Sequence, residues 1–132
     1  MPIILYTLVA AALMPYVLAM IGAYFRVRQF GRFDNNYPRQ QQAELRGVGA
    51  RVQAAQANSW EALSVYAVSI FIAFAAGLDL RALDAVALIY IAARVGYAVC
   101  YVVNLDSLRS VVFGVGMSCC AYIVVRAATH VL

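Results

Sequence analysis

Four stretches of the chain are almost wholly apolar, and polar residues interrupt them only at defined places. The first runs from Ile3 to Phe25. A helix needs about 20 apolar residues to cross the hydrocarbon core, so residues 3–25 read as a first span. Tyr6 and Tyr24 fall where interfacial aromatics sit. Pro15 predicts a kink that a lipid-embedded helix tolerates. Residues 26–42 are the one clearly non-apolar stretch, and Gly31, the Asp34–Asn36 run and Pro38 mark an irregular loop. No proline follows Pro38, so a long helix is free to begin near Gln40. Strictly apolar residues resume only from Ala62 to Leu78, close to the lower limit for crossing. That helix is therefore expected to enter the headgroup region at Asn58 or earlier, giving a second span over 58–78. A short turn at 79–84, a third span over 85–103, a turn at 104–107 and a fourth span over 108–131 complete the chain. The pattern predicts an all-α integral membrane protein, a single domain with four transmembrane helices. Its short connections make consecutive helices antiparallel, in an up-down bundle.

Composition strengthens this reading. Of 132 residues, 65% are hydrophobic, against about half in a soluble domain. A soluble core this rich would lack polar surface to cover itself, whereas lipid requires none. The first apolar run has no positive region ahead of it and is long enough to span, so it reads as a span and not as a cleaved leader. Cys100, Cys119 and Cys120 all lie in apolar runs. An odd number that includes a vicinal pair is no disulfide framework, and buried small hydrophobes are the expectation. No metal-ligand spacing is present.

Charge adds orientation. The net charge is +4, and all ten basic residues are arginine. They gather beside apolar spans, which favours a membrane surface or an anionic ligand over nucleic acid. Arg26, Arg28, Arg32, Arg39, Arg46 and Arg51 lie in or just after the first connection, while the opposite turn holds only Arg81. The positive-inside rule puts the first loop in the cytoplasm and both termini outside. Arg126 and His130 mildly oppose this.

The polar residues within the spans carry the chemistry. Arg51, Ala54, Ala55, Asn58 and Glu61 follow spacings of three and four and share one helix face. Tyr90, Arg94, Tyr97 and Tyr101 do the same on the third span. Arg109 and Ser110 open the fourth, where free backbone N–H groups favour anions. An ionised Arg94 near midspan costs about 2.5–3.5 kcal/mol on insertion scales, so it needs a partner, and Glu61 is the obvious one. Singly, such residues are more often interhelical glue than ligands, the tyrosines packing residues, and the loop arginines topology signals. Their combination on two spans, with an arginine at a helix start near the same membrane side, raises the functional reading.

The run Arg51-Val-Gln-Ala-Ala-Gln-Ala-Asn58-Ser-Trp-Glu61 resembles the second-helix motif of the MAPEG family, membrane-associated proteins in eicosanoid and glutathione metabolism. Ala93-Arg94-Val-Gly-Tyr97 through Tyr101, then Leu108-Arg109-Ser110, is similar to the family's third- and fourth-helix region. Arg26 and Arg28 fit the end of its first helix, and Asn36-Tyr37-Pro38-Arg39 resembles the loop of bacterial members. The resemblance covers essentially the whole chain. It implies a homotrimer in a bacterial inner membrane, with sites between subunits open to the cytoplasm. There glutathione, as co-substrate, would meet a lipophilic electrophile. It implies catalytic roles for Arg109, the thiol-activating position, and for Ser110. Arg26, Arg51, Gln56, Asn58, Glu61, Arg94, Tyr97 and Tyr101 would hold the tripeptide, with no metal.

Four positions depart from the family pattern. Ala54 and Ala57 replace basic or bulky residues of several members, Ala62 stands where tyrosine is frequent, and Phe113 replaces a tyrosine of a prostaglandin-synthesising member. The implied pocket is correspondingly less basic. Two functions follow: a membrane glutathione transferase, with or without peroxidase activity, or a non-enzymatic lipid-binding scaffold such as the family also contains. A small exporter fits the length and the midspan Arg94 but explains the arginine-rich loop poorly.

Overall fold

A computed structural model describes residues 1–131 and is all-helical among them. The elements are α1 (Ile3–Phe30), α2 (Pro38–Ala43), α3 (Gly47–Ala75), a 3₁₀ turn (Leu80–Leu83), α4 (Asp84–Val102) and α5 (Asp106–Val131). Four of these segments are long and apolar enough to cross a membrane. α1 packs on α3 and α4 packs on α5, while α3 also touches both α4 and α5.

The spans are longer than the apolar runs. α1 passes through buried Pro15 without a break and continues five residues beyond Phe25, ending where Gly31 adopts φ +72° and its N–H bonds to the Val27 carbonyl. The segment 26–42 is thus partly helical, with its last residues in α2. Proline at the first position of α2 suits a missing donor there. The long helix expected from Gln40 is interrupted at Glu44–Arg46 and restarts at Gly47, whose φ of +57° favours glycine. α3 therefore begins eleven residues before Asn58, placing Arg51, Asn58 and Glu61 all on one continuous helix.

The buried stripe of α3 is Val52, Ala55, Ser59, Ala62, Tyr66, Ser69 and Ala73, at alternating spacings of three and four. Small residues there let neighbouring backbones approach, as membrane interfaces favour. Hydroxyls in the stripe are satisfied locally: Ser59 Oγ donates to the Ala55 carbonyl at 2.8 Å and Ser69 Oγ to the Val65 carbonyl at 2.8 Å. Away from the loop end, the core holds Ile4, Tyr66, Ile70, Tyr90 and Ile123. The Tyr66 and Tyr90 rings stack at 3.7 Å between centroids. Tyr66 shares a 2.8 Å hydrogen bond with Thr7, and Tyr90 donates to the Ala62 carbonyl at 3.0 Å. Asp84 accepts from the Ile4 N–H at 3.1 Å, stapling the start of α1 to the start of α4. Cys100, Cys119 and Cys120 are buried and unbridged.

Candidate functional site

The antiparallel course brings the end of α1, the start of α3, the end of α4 and the start of α5 to one end of the bundle. The polar residues of α3, α4 and α5 meet in that half. Arg94 on α4 is 4% exposed. Its guanidinium donates to Asn58 Oδ1 at 2.8 Å, and Asn58 Nδ2 donates onward to Glu61 Oε2 at 3.2 Å. The expected direct partnership of Arg94 with Glu61 is therefore corrected. An amide lies between them because Asn58 sits almost a full turn closer to the loop end than Glu61. Glu61 stays exposed in the single chain.

The row continues toward the loop end. Arg94 covers the Tyr97 ring at 4.5 Å, Tyr97 meets Tyr101 edge-on at 5.7 Å, and the Arg109 guanidinium covers Tyr101 at 4.3 Å. A cation over an aromatic face is attracted by the ring quadrupole, and the row fixes both guanidiniums without using a carboxylate. Phe113 flanks Tyr97 at 6.0 Å. Below Arg94 a small cleft is lined by Ala62, Tyr90, Phe113, Gly116, Met117 and Cys120. Arg51 closes the row by donating to the Val102 carbonyl at 2.9 Å, one of the orphan acceptors at the end of α4.

Three expected site residues stand differently. α5 starts at Asp106, and the Arg109 N–H already bonds to the Leu105 carbonyl at 2.9 Å. Arg109 is thus inside the helix ladder and offers an anion its side chain, not its backbone. Ser110 is exposed, and its hydroxyl donates to the Asp106 carbonyl at 3.1 Å. Gln56 faces another way, lining a groove with Pro38, Arg39, Gln42, Gln53, Ala57 and Trp60. Its Oε1 is buried there without a hydrogen-bond partner.

Arg26 is also spent elsewhere, in a clasp that sequence reading missed. It is 4% exposed, donates from Nε to Gln41 Oε1 at 2.8 Å and to the Asp34 carbonyl at 3.2 Å, and lies 3.8 Å over the Phe33 ring. Gln41 accepts from the Asp34 N–H at 3.1 Å and donates to the Arg32 carbonyl at 2.9 Å. Asp34 Oδ1 accepts from the N–H groups of Asn36 and Tyr37 at 2.8 and 3.1 Å. Those two bonds hold its carboxyl below the usual range, with Arg32 and Arg26 adding a smaller effect. Among the described residues, no three His, Cys, Asp or Glu side chains converge as metal ligands would.

The comparison by sequence matches the MAPEG family model over residues 3–129, nearly the whole of this four-span helical chain. The chain belongs to the MAPEG family. No curated protein and no solved structure matches it. The MAPEG family is one of membrane four-helix bundles and includes glutathione transferases and related proteins. This MAPEG protein is accordingly an integral membrane protein, with the lipid bilayer as its environment.

Proposed function

We propose that the protein is a glutathione transferase that joins the glutathione thiolate to lipophilic electrophiles arriving from the bilayer. The observation that carries this reading is the row Asn58–Arg94–Tyr97–Tyr101–Arg109, with two guanidiniums held over tyrosine faces at 4.5 and 4.3 Å. A free thiol has a pKa near 8.5, and each unit of depression corresponds to about 1.36 kcal/mol. Arg109, half-buried on the open side of the row, is the group we assign to the thiolate. Arg94, Asn58, Glu61, Tyr97 and Tyr101 would hold the tripeptide's carboxylates, amides and amine. Arg51 would steady the rim. The same thiolate would also serve a peroxidase activity toward lipid hydroperoxides.

The assembly we propose is a homotrimer with the site between subunits. Glu61, Ser110 and Phe113 are exposed in the single chain, and a neighbour would cover them. In that assembly Ser110, Gln56 and Arg26 reach the ligand only by turning from their present partners or by facing a neighbouring subunit. The asymmetry of arginines between the two ends supports a cytoplasmic first loop, in a bacterial inner membrane.

A second reading, a lipid-binding scaffold, is favoured by Ala54 and Ala57 and by the commitment of Arg51 to Val102, which leave the α3 face little free positive charge. An ultraviolet difference titration of the purified protein with glutathione separates the two. A saturable thiolate absorbance near neutral pH, lost in Arg109→Ala, is the expected result. No thiolate, together with no binding by calorimetry, would overturn the transferase reading in favour of the scaffold.

A further inference from the structure

The arginine-rich connection is a folded object and not a tether. The clasp of Arg26, Gln41 and Asp34 closes it at one side. At the other, Gln29 Nε2 donates to the Glu44 carbonyl at 2.9 Å and Gln29 Oε1 accepts from the Arg46 N–H at 2.9 Å. Both fastenings tie the connection back to the last turns of α1, a helix that crosses the membrane. Its side chains are therefore held beside the end of that helix, instead of ranging into solution.

The charge there is lopsided. Residues 26–46 carry five arginines (26, 28, 32, 39, 46) and two acids (34, 44), a net of +3. The opposite connection, 79–84, carries Arg81 against Asp79 and Asp84, a net of −1. Asp34 gives one carboxylate oxygen to two backbone N–H groups, and Glu44 accepts a long 3.4 Å bond from Gln40. Arg26 is buried in the clasp, but Arg28, Arg32, Arg39 and Arg46 are exposed. Beside them Tyr37 is 68% exposed, an amphipathic ring of the type that settles at headgroup depth, and the apolar Phe33 ring is 47% exposed. Guanidinium is the cation whose donor geometry matches phosphate.

We propose that this connection is a docking surface for anionic phospholipid headgroups. Arg28, Arg32, Arg39 and Arg46 supply the charge, and Phe33 and Tyr37 sit at headgroup depth. The residues that would face the lipid, Arg28, Arg32, Arg39, Arg46, Phe33 and Tyr37, are not among those assigned to the glutathione site.

The test places a reporter at the surface of the full-length protein in bilayers. The chain has one tryptophan, so Tyr37→Trp in a Trp60→Phe background gives a single emitter. Its quenching by brominated phosphatidylglycerol is compared with that by brominated phosphatidylcholine at equal mole fraction. Preferential quenching by the anionic lipid is expected. Adding Arg32→Gln and Arg39→Gln should reduce that preference by about fivefold per arginine, while Arg81→Gln should leave it unchanged. A salt series needs no charge variant: in about 1 M salt, where screening acts over about 3 Å, the preference should collapse. Equal quenching by both lipids, or a preference that survives both the double substitution and high salt, would overturn the proposal.

Discussion

Asn58→Ala is the substitution that tests the core of the site most directly. Arg94 is 4% exposed, and its guanidinium has Asn58 Oδ1 at 2.8 Å as its side-chain acceptor. A hydrogen bond to a charged group contributes about 1.5–3 kcal/mol, and a buried cation left without its acceptor suffers the larger end of such losses. The Tyr97 face at 4.5 Å remains and retains part of the stabilisation. Interhelical hydrogen bonds measured in membranes average about 0.6 kcal/mol and reach about 1.7, which bounds the estimate from below. We therefore expect Asn58→Ala to destabilise the bundle by about 1.5–2 kcal/mol. In the dissociated single chain Glu61→Gln should cost less than about 0.5 kcal/mol, because Glu61 is exposed there and bonds only to Asn58 at 3.2 Å. The assay is reversible unfolding in mixed micelles, with a double-mutant cycle between Asn58→Ala and Arg94→Met. The cycle should return a coupling of about 1 kcal/mol or more. If Glu61→Gln costs as much as Asn58→Ala, and couples to Arg94→Met more strongly, the ion pair is the real interaction and the amide relay is wrong.

Other outcomes follow from single contacts. A Cβ on Gly49 would lie 3.0 Å from both Phe25 Cβ and Leu45 Cδ2, whereas one on Gly22 would meet only Val52 Cγ1 at 3.9 Å. Gly49→Ala should thus lower stability by about 1–3 kcal/mol and Gly22→Ala should not, as thermal unfolding in detergent would show. The Asp34 carboxyl titrates below its ordinary value in the folded loop, so its stabilisation is present above the unfolded value and lost as pH falls through the folded one. The protection of the Asn36 and Tyr37 amides, taken relative to their intrinsic exchange rates, should fall on acidification below about pH 4. Asp34→Asn should remove most of that dependence, and an unchanged profile would refute the assignment. Gln41→Leu removes the centre of the clasp and should expose the 31–43 segment to protease while leaving α3 and α4 protected.

How far the sequence could be read depended on what spacing encodes. Hydropathy located four spans because lipid demands continuous apolar length, and it fell short at the ends of α1 and α3. There the helices run on as polar extensions that no hydropathy window counts. Spacings of three and four correctly put Asn58 and Glu61 on one face of α3, and Arg94, Tyr97 and Tyr101 on one face of α4. They say nothing of the axial offset between two helices. That offset decides which residue Arg94 meets, so the charged Glu61 looked the better partner and the amide of Asn58 is the actual one. The same rule could have set Gln56 aside, since two residues from Asn58 is roughly the opposite side of a helix, and the structure turns it to the groove beside α2. Arg26 had no such signal. Its place at the end of a span reads as a topology charge or, by resemblance, as a tripeptide ligand, and only the fold of fifteen further residues brings Gln41 back to its Nε. Apart from Gln56 Oε1, the buried polar side chains among the described residues are satisfied by backbone carbonyls, amides, hydroxyls and aromatic faces more than by opposite charges. Among the described residues no carboxylate bonds the guanidinium of Arg94 or Arg109, the condition under which either could stabilise an incoming anion.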